Sequence, residues 1–176
     1  NTAAETELLA LAAESNGGLY FVPSFTGLAA PYWDSYARGM MIGITAGTTR
    51  EQVVRATLES TAYQVSDVLK VMEKDSKVPI SVMRCDGGAT ANNFLMQFQA
   101  DILGIPLHVP EIIDTTALGA AYIAAIGIGE FHSPAELSGQ WRLDRSFEPH
   151  MSADQRESLL EDWHRAVERC LKWSRE

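Results

Sequence analysis

The strongest constraint on the fold is a strand–turn–helix–strand unit in the middle of the chain. Ile80–Cys85 is a run typical of a β-strand, and the turn Asp86–Asn93 after it contains two adjacent glycines. An apolar helix then leads to a second short strand, Leu107–Val109. Strands joined through a helix pair in parallel. The unit therefore predicts an α/β fold, with any ligand site beyond the carboxyl end of the first strand.

The remainder of the chain fits the same class. The other predicted elements are a helix over 2–14, strands over 19–22 and 40–44, a long helix ending before residue 77, a helix from near residue 91 to 103, and helices over 117–128 and from 153 onward. We expect one partial domain over 1–176, with a leading helix (1–16), an α/β core (17–128) and a tail with a last helix (129–176). Thr2 and Glu5 have the spacing of a capping box.

Two helices carry patterns that predict how they pack. In the long helix, Thr49 and Gln52 have capping-box spacing, and apolar residues recur in steps of three and four. These residues are Val54, Leu58, Ala62, Val65, Leu69 and Met72. They predict one buried apolar face. In a later helix, Gly119–Ala121 predicts a narrow face that packs close to a sheet.

Composition excludes several classes of protein. Hydrophobic residues make up 46% of the chain, which argues against disorder, and the net charge of −9 argues against a nucleic-acid partner. No apolar stretch reaches the roughly 20 residues of a membrane span. Cys85 and Cys170 lie outside any CxxC pattern, so we expect buried reduced thiols, no zinc site and a cytoplasmic protein.

The glycine turn is the best candidate for a binding site. Gly87 and Gly88 have no Cβ, so a ligand can approach the main chain closely. A helix predicted to start near Ala91 offers unpaired N–H groups, and Asn92 on its first turn can both donate and accept. The weaker candidates beside them are Asp86 and Asn93. The alternative is a tight turn with an Asx cap and no ligand.

Other parts of the chain offer little chemistry. The stretch Pro23–Asp34 is dense in aromatic residues, which favours packing against a second domain or subunit over a ligand wall. The four histidines have no metal-ligand spacing, and no Ser/His/Asp grouping or carboxylate pair is evident. The chain by itself therefore predicts no catalytic centre and no metal site.

Several long motifs resemble the FGGY carbohydrate kinase family, and its glycerol kinases in particular. The segment Phe25–Asp34 (FTGLAAPYWD) is similar to glycerol kinases, and Gly39–Glu59 resembles the second FGGY signature. Asp86–Gln97 resembles the adenosine-binding motif of the family. The likeness continues in the following helix at Thr116–Ala121 and at the carboxyl end in Phe147-x-Pro149 and Trp163. The resemblance covers nearly the whole chain from about Gly18 onward.

The resemblance implies a fold and a reaction. The fold is the actin-like ATPase fold, in which two RNase H-like domains enclose a cleft, and the chain corresponds to the C-terminal domain, incomplete at its N-terminal side. The reaction is the phosphorylation of glycerol by ATP with Mg²⁺, giving sn-glycerol 3-phosphate in glycerol catabolism. The enzyme is expected to be cytoplasmic and a homo-oligomer. Gly88 and Asn92 match the family positions that contact ATP or ADP.

The resemblance also implies that the chain is incomplete as a catalyst. The family's aspartate base, its glycerol contacts, its first phosphate loops and the Mg²⁺ ligands are expected in sequence before residue 1, so the chain alone is expected to be inactive. Ala29 stands where the family often has glycine. The alternatives are another FGGY kinase, of the xylulose or ribulose type, and a non-catalytic binding module.

Overall fold

The computed structural model describes residues 5–175, apart from the side chain of Ser138. The helices and strands are α1 (Glu5–Ala12), β1 (Tyr20–Val22), β2 (Met40–Ile42), α2 (Arg50–Ser76), β3 (Met83–Arg84), α3 (Asn93–Leu103), β4 (Leu107–Pro110), α4 (Thr115–Gly127), α5 (Pro134–Leu137), β5 (Leu143–Phe147) and α6 (Ala153–Cys170). Short 3₁₀ helices cover Gly88–Ala91 and Ser138–Gln140. The predicted cap at Thr2 lies outside the described residues.

The strands form two small sheets. β1 and β2 pair antiparallel, while β4 lies between β3, to which it is parallel, and β5, to which it is antiparallel. The parallel pairing of β3 and β4 on either side of α3 confirms the predicted crossover. β3 is shorter than the predicted strand Ile80–Cys85, because its partner β4 begins only at Leu107, opposite Met83.

Helix α2 begins as predicted but buries a different face. The Thr49 hydroxyl accepts from the Gln52 N–H at 3.3 Å, and the Gln52 side chain accepts from the Thr49 N–H at 3.0 Å, which completes the capping box. The predicted apolar face is wrong in its position, since only Ala62 among its six residues is buried. The buried residues are Ala56, Glu59, Ser60, Ala62, Tyr63, Ser66 and Asp67. Hydrophobic periodicity missed this face because half of it is polar.

Asp67 is a buried carboxylate with three partners from distant parts of the chain. It accepts hydrogen bonds from the Tyr32 hydroxyl at 2.6 Å and from Trp163 Nε1 at 2.8 Å. Its other oxygen lies 2.8 Å from His164 Nε2. Burial and the bond to Asp67 raise the pKa of the Tyr32 hydroxyl. The carboxylate therefore fixes both α6 and the segment Pro23–Asp34, which we refer to as the aromatic loop, against α2.

Glu59, two turns earlier on α2, anchors the end of α1 in the same way. It accepts from Arg55 Nε at 2.8 Å and from Asn16 Nδ2 at 2.9 Å. Arg55 also donates to the carbonyl of Ala13, just after α1. Burial raises the pKa of Glu59, and the neighbouring Arg55 guanidinium opposes that rise. These bonds hold α1 and the turn after it on α2.

The main core lies between α2, α3, α6 and β1. Tyr63 stacks on Trp163 with ring centroids 5.2 Å apart and meets Phe98 edge-on at 5.6 Å. Trp163 is fully buried, and Val167 and Cys170 on the same face of α6 are buried with it. The predicted burial of the Cys170 thiol is thus confirmed.

Helix α4 has no buried residue. The predicted packing of Gly119–Ala121 against a sheet is therefore wrong for the part of the chain that the structure describes. Ile123 on this helix is 74% exposed. Within residues 5–175, Tyr122 of α4 meets Phe131 edge-on at 6.4 Å, but no residue of the helix is fully covered.

No helix within residues 5–175 combines the length and the apolar character needed to cross a bilayer.

We predict that Asp67→Ala lowers the free energy of unfolding by about 3 kcal/mol, because it leaves buried donors on Tyr32 and Trp163 without an acceptor. Urea denaturation followed by tryptophan fluorescence measures this change. Asp75→Ala is the matched control, since it removes an exposed carboxylate from the same helix and should shift stability by less than about 0.5 kcal/mol. Equal effects of the two substitutions would contradict the anchoring role of Asp67.

Candidate functional site

The glycine turn lies at the carboxyl end of β3, and Gly87 shapes it. Its φ of +84° favours glycine, and its N–H donates to the carbonyl of Ile113 at 2.8 Å. Its carbonyl accepts from both the N–H of Thr90 at 3.1 Å and the Thr90 hydroxyl at 2.7 Å. The fold itself therefore explains the first glycine of the pair.

The second glycine has no such explanation within the described residues. Gly88 opens the 3₁₀ helix Gly88–Ala91 without a positive φ, and a Cβ added there would meet no atom within 4 Å. Neither backbone conformation nor packing requires glycine at this position. A ligand that approaches the main chain closely would supply the missing reason.

Asn92 is the N-cap of α3. The expected helix start near Ala91, with Asn92 on the first turn, is wrong, because the 3₁₀ helix takes up the residues before it. Asn92 Oδ1 accepts from the N–H of Leu95 at 2.9 Å, as asparagine favours at a helix start. Its Nδ2 donates to the Thr6 hydroxyl of α1 at 3.3 Å.

A cavity of about 400 Å³ opens beside this turn. Its lining residues are Thr6 and Glu7 from α1, Leu58 from α2, Gly88, Ala89 and Ala91 from the turn, and Asn92 and Leu95 from the start of α3. A mainly apolar wall with a few polar groups is typical of small-molecule sites. We refer to it as the turn cavity.

The turn cavity combines predicted and unpredicted residues. Gly88 and Asn92, predicted from the sequence, lie together in its wall. Thr6 and Glu7 were missed, because they precede Asn92 by more than 80 residues and only the tertiary structure brings them there. No local sequence signal distinguishes them from other polar residues of an amphipathic helix.

The other predicted residues lie outside the cavity wall. Gly87 stabilises the turn through its backbone hydrogen bonds to Ile113 and Thr90, and Asp86 is exposed just after β3. Asn93 accepts from Arg145 at 2.7 Å and lines a different cavity, of about 580 Å³. Burial and the neighbouring Asp86 charge raise the pKa of the partly buried Cys85 thiol, which makes it a poor nucleophile at neutral pH.

The described residues around the turn cavity are apolar or hydrogen-bonding groups and one carboxylate, that of Glu7. Within residues 5–175, no three His, Cys, Asp or Glu side chains lie close enough together to hold a metal ion. In the aromatic loop, Tyr32 is fixed to Asp67, whereas Phe25 and Trp33 are 73% and 78% exposed. The groups around the turn cavity are suited to holding and orienting a ligand.

Comparison with known protein families identifies the family to which this fold and its glycine turn belong. Residues 1–128 match the family model described as the C-terminal domain of the FGGY family of carbohydrate kinases. The chain therefore belongs to the FGGY family of carbohydrate kinases.

Individual relatives narrow the comparison. The chain is 57% identical to glycerol kinase 2 of Thermotoga maritima, over 99% of this chain and 35% of that protein. It is 56% identical to a glycerol kinase of Symbiobacterium thermophilum, again over 99% of this chain and 35% of that protein. The chain thus spans about a third of the length of these relatives.

Solved structures confirm the α/β fold as that of these kinases, with the actin-like ATPase architecture. A crystal structure of Plasmodium falciparum glycerol kinase with ADP gives a TM-score of 0.86 at 35% identity, over 97% of this chain and 34% of that chain. A ligand-bound xylulose kinase from Lactobacillus acidophilus gives a TM-score of 0.78 at 22% identity, over 96% of this chain and 34% of that chain, and so shows the fold alone.

We predict that the two glycines respond differently to alanine. Gly87→Ala should lower stability by about 1–2 kcal/mol, because it places a Cβ at positive φ. Gly88→Ala should change stability by less than about 0.5 kcal/mol, since the new methyl group points into open space. Thermal denaturation of the two variants measures the difference, and equal losses would show that the fold also requires Gly88.

Proposed function

We propose that the chain is the nucleotide-binding part of a glycerol kinase, an enzyme that transfers the terminal phosphoryl group of ATP to glycerol and forms sn-glycerol 3-phosphate. The observation that carries the proposal is the meeting of Gly88 and Asn92 at the turn cavity. It is supported by the similarity to glycerol kinases at 57% and 56% identity, and by the ADP in the Plasmodium falciparum structure.

The turn cavity fits the adenosine end of ATP or ADP. Gly88 leaves its main chain open to a flat ligand, and Leu58 and Leu95 offer apolar surface to a base. Asn92 adds an amide with both donor and acceptor capacity. The start of α3 contributes the positive end of its dipole. A chain of net charge −9 offers no basic surface to an anionic nucleotide. Backbone N–H groups at a helix start can hold such a ligand without one.

Mg²⁺ accompanies ATP in this reaction, but the described residues do not form a binding site for this ion. Hard cations bind clusters of oxygen ligands, and residues 5–175 contain no cluster of three acidic or other metal-ligating side chains. We therefore propose that this chain binds and orients the nucleotide. Positioning of the reacting groups contributes much of the catalysis in phosphoryl transfer. The catalytic base, the metal ligands and most of the glycerol contacts are proposed to lie elsewhere in the full-length protein, so that this chain alone is inactive.

The cellular setting is part of the proposal. Cys85 and Cys170 are both free, which is typical of the reducing cytoplasm. We propose a cytoplasmic enzyme that assembles as a homo-oligomer in its full-length form. The exposed aromatic residues Phe25 and Trp33 are of the type enriched at protein interfaces.

We predict that the full-length protein phosphorylates glycerol with a kcat/KM at least about 100-fold above that for xylulose or ribulose, equivalent to about 2.7 kcal/mol. A coupled assay of ADP release across this substrate panel measures the preference. A preference for a pentulose would replace glycerol with the xylulose- or ribulose-type alternative and leave the nucleotide site in place. No ADP release with any of these substrates would favour a non-catalytic binding module.

We predict that Gly88→Ala in the full-length protein raises the KM for ATP about tenfold, equivalent to about 1.4 kcal/mol, and leaves the KM for glycerol unchanged. The added methyl group would occupy the space that the ligand needs. Gly139→Ala is the matched control, because Gly139 also has no neighbour within 4 Å of an added Cβ and lies outside the turn cavity. Unaltered ATP dependence in Gly88→Ala would contradict the nucleotide site.

A further inference from the structure

We propose that Thr6 of α1 is a positioning residue for the nucleotide, acting through Asn92. This inference rests on the proposed function, because it gives Asn92 a ligand to orient. Thr6 accepts the hydrogen bond from Asn92 Nδ2 at 3.3 Å, across 86 positions of sequence. Thr6 also lines the turn cavity beside Glu7, so α1 forms one of its walls.

Helix α1 is a firm support for this contact. Ala10 on α1 is fully buried in the main core. Just after the helix, Arg55 donates to the carbonyl of Ala13, and Asn16 donates to the buried Glu59 at 2.9 Å. Because the carboxyl end of the helix is held on α2 in this way, Thr6 is presented to Asn92 from a fixed direction.

The two hydrogen bonds of Asn92 define what its amide offers to a ligand. An asparagine amide has two N–H donors and an oxygen with two lone pairs. The N–H of Leu95 uses one lone pair, and Thr6 takes one donor. One N–H and one lone pair remain for a ligand in the cavity. The cap at Leu95 fixes the position of the oxygen, and Thr6 restrains the rotation of the amide plane about it.

A purely structural role for Thr6 predicts a different result from a positioning role. If the contact only fastened α1 to α3, its loss would lower the melting temperature and affect both substrates equally. If the contact orients the amide, its loss weakens nucleotide binding selectively and leaves the chemical step intact. Binding to a group that is free to rotate costs the entropy of fixing it at that moment.

The experiment uses the full-length protein with three substitutions on α1. Thr6→Val removes the hydroxyl at nearly constant shape, Thr6→Ser retains it, and Leu8→Ala removes a 72% exposed side chain from the same helix. We expect Thr6→Val to raise the KM for ATP and the Kd for ADP about fivefold, with kcat and the KM for glycerol unchanged. Thr6→Ser and Leu8→Ala should behave like the unmodified protein.

A double-mutant cycle with Asn92→Ser completes the test. Serine keeps an oxygen for the helix cap but has no amide nitrogen to donate to Thr6, so Thr6→Val should have no further effect on the KM for ATP in that background. Unchanged ATP and ADP affinity in Thr6→Val, while Gly88→Ala weakens both, would overturn the role of Thr6 and leave the nucleotide site standing. No change in either variant would overturn both. An equal effect of Thr6→Val in the two backgrounds would also overturn the inference.

Discussion

Two carboxylates buried on one face of α2 determine how the rest of the chain is arranged. A buried charge is costly unless hydrogen-bond donors surround it, and α2 alone supplies only part of what Glu59 and Asp67 need. The other donors come from Asn16 after α1, from Tyr32 in the aromatic loop and from Trp163 on α6. The position of each of these segments is therefore set by a polar requirement, and the apolar core fills the space between them.

The turn cavity follows from this arrangement. Glu59 and Arg55 hold the end of α1, which places Thr6 against Asn92. Phe98 of α3 packs edge-on against Tyr63 of α2, and this contact fixes the helix whose first N–H groups face the turn. The glycine turn thus receives its shape from its own backbone and its surroundings from three helices.

The features that the sequence predicted correctly are local ones. Capping by Thr49 and Gln52 and the β3–α3–β4 crossover depend on spacing within a few residues or on one strand–helix–strand unit. Local spacing also singled out Gly88 and Asn92, whose role as binding residues stays a prediction, and the helix start lies two residues later than expected. Family resemblance, carried by long motifs, is the source of the proposed reaction, which the residues alone do not indicate.

The features that the sequence did not predict depend on distant partners. The buried face of α2 was misplaced because Glu59 and Asp67 read as surface residues until their donors, 43 and 96 positions away, are known. Thr6 escaped notice for the same reason. The predicted packing of Gly119–Ala121 is a different case, since a run of small residues does not show which surface covers it, and no residue of α4 is buried among residues 5–175.

The long-range pairing of α2 with α6 has a consequence for folding kinetics. The bond between Asp67 and Trp163 closes a loop of 96 residues, and the glycine turn lies inside that loop. Closing a loop of this length costs conformational entropy before any contact compensates for it, so topologies of this kind fold slowly. Local contacts along β3, α3 and β4 form the turn within its own segment, but the rings of Tyr63 and Trp163 meet only when the ends of the loop come together. The rate-limiting step of folding for this chain is therefore expected to be the docking of α6.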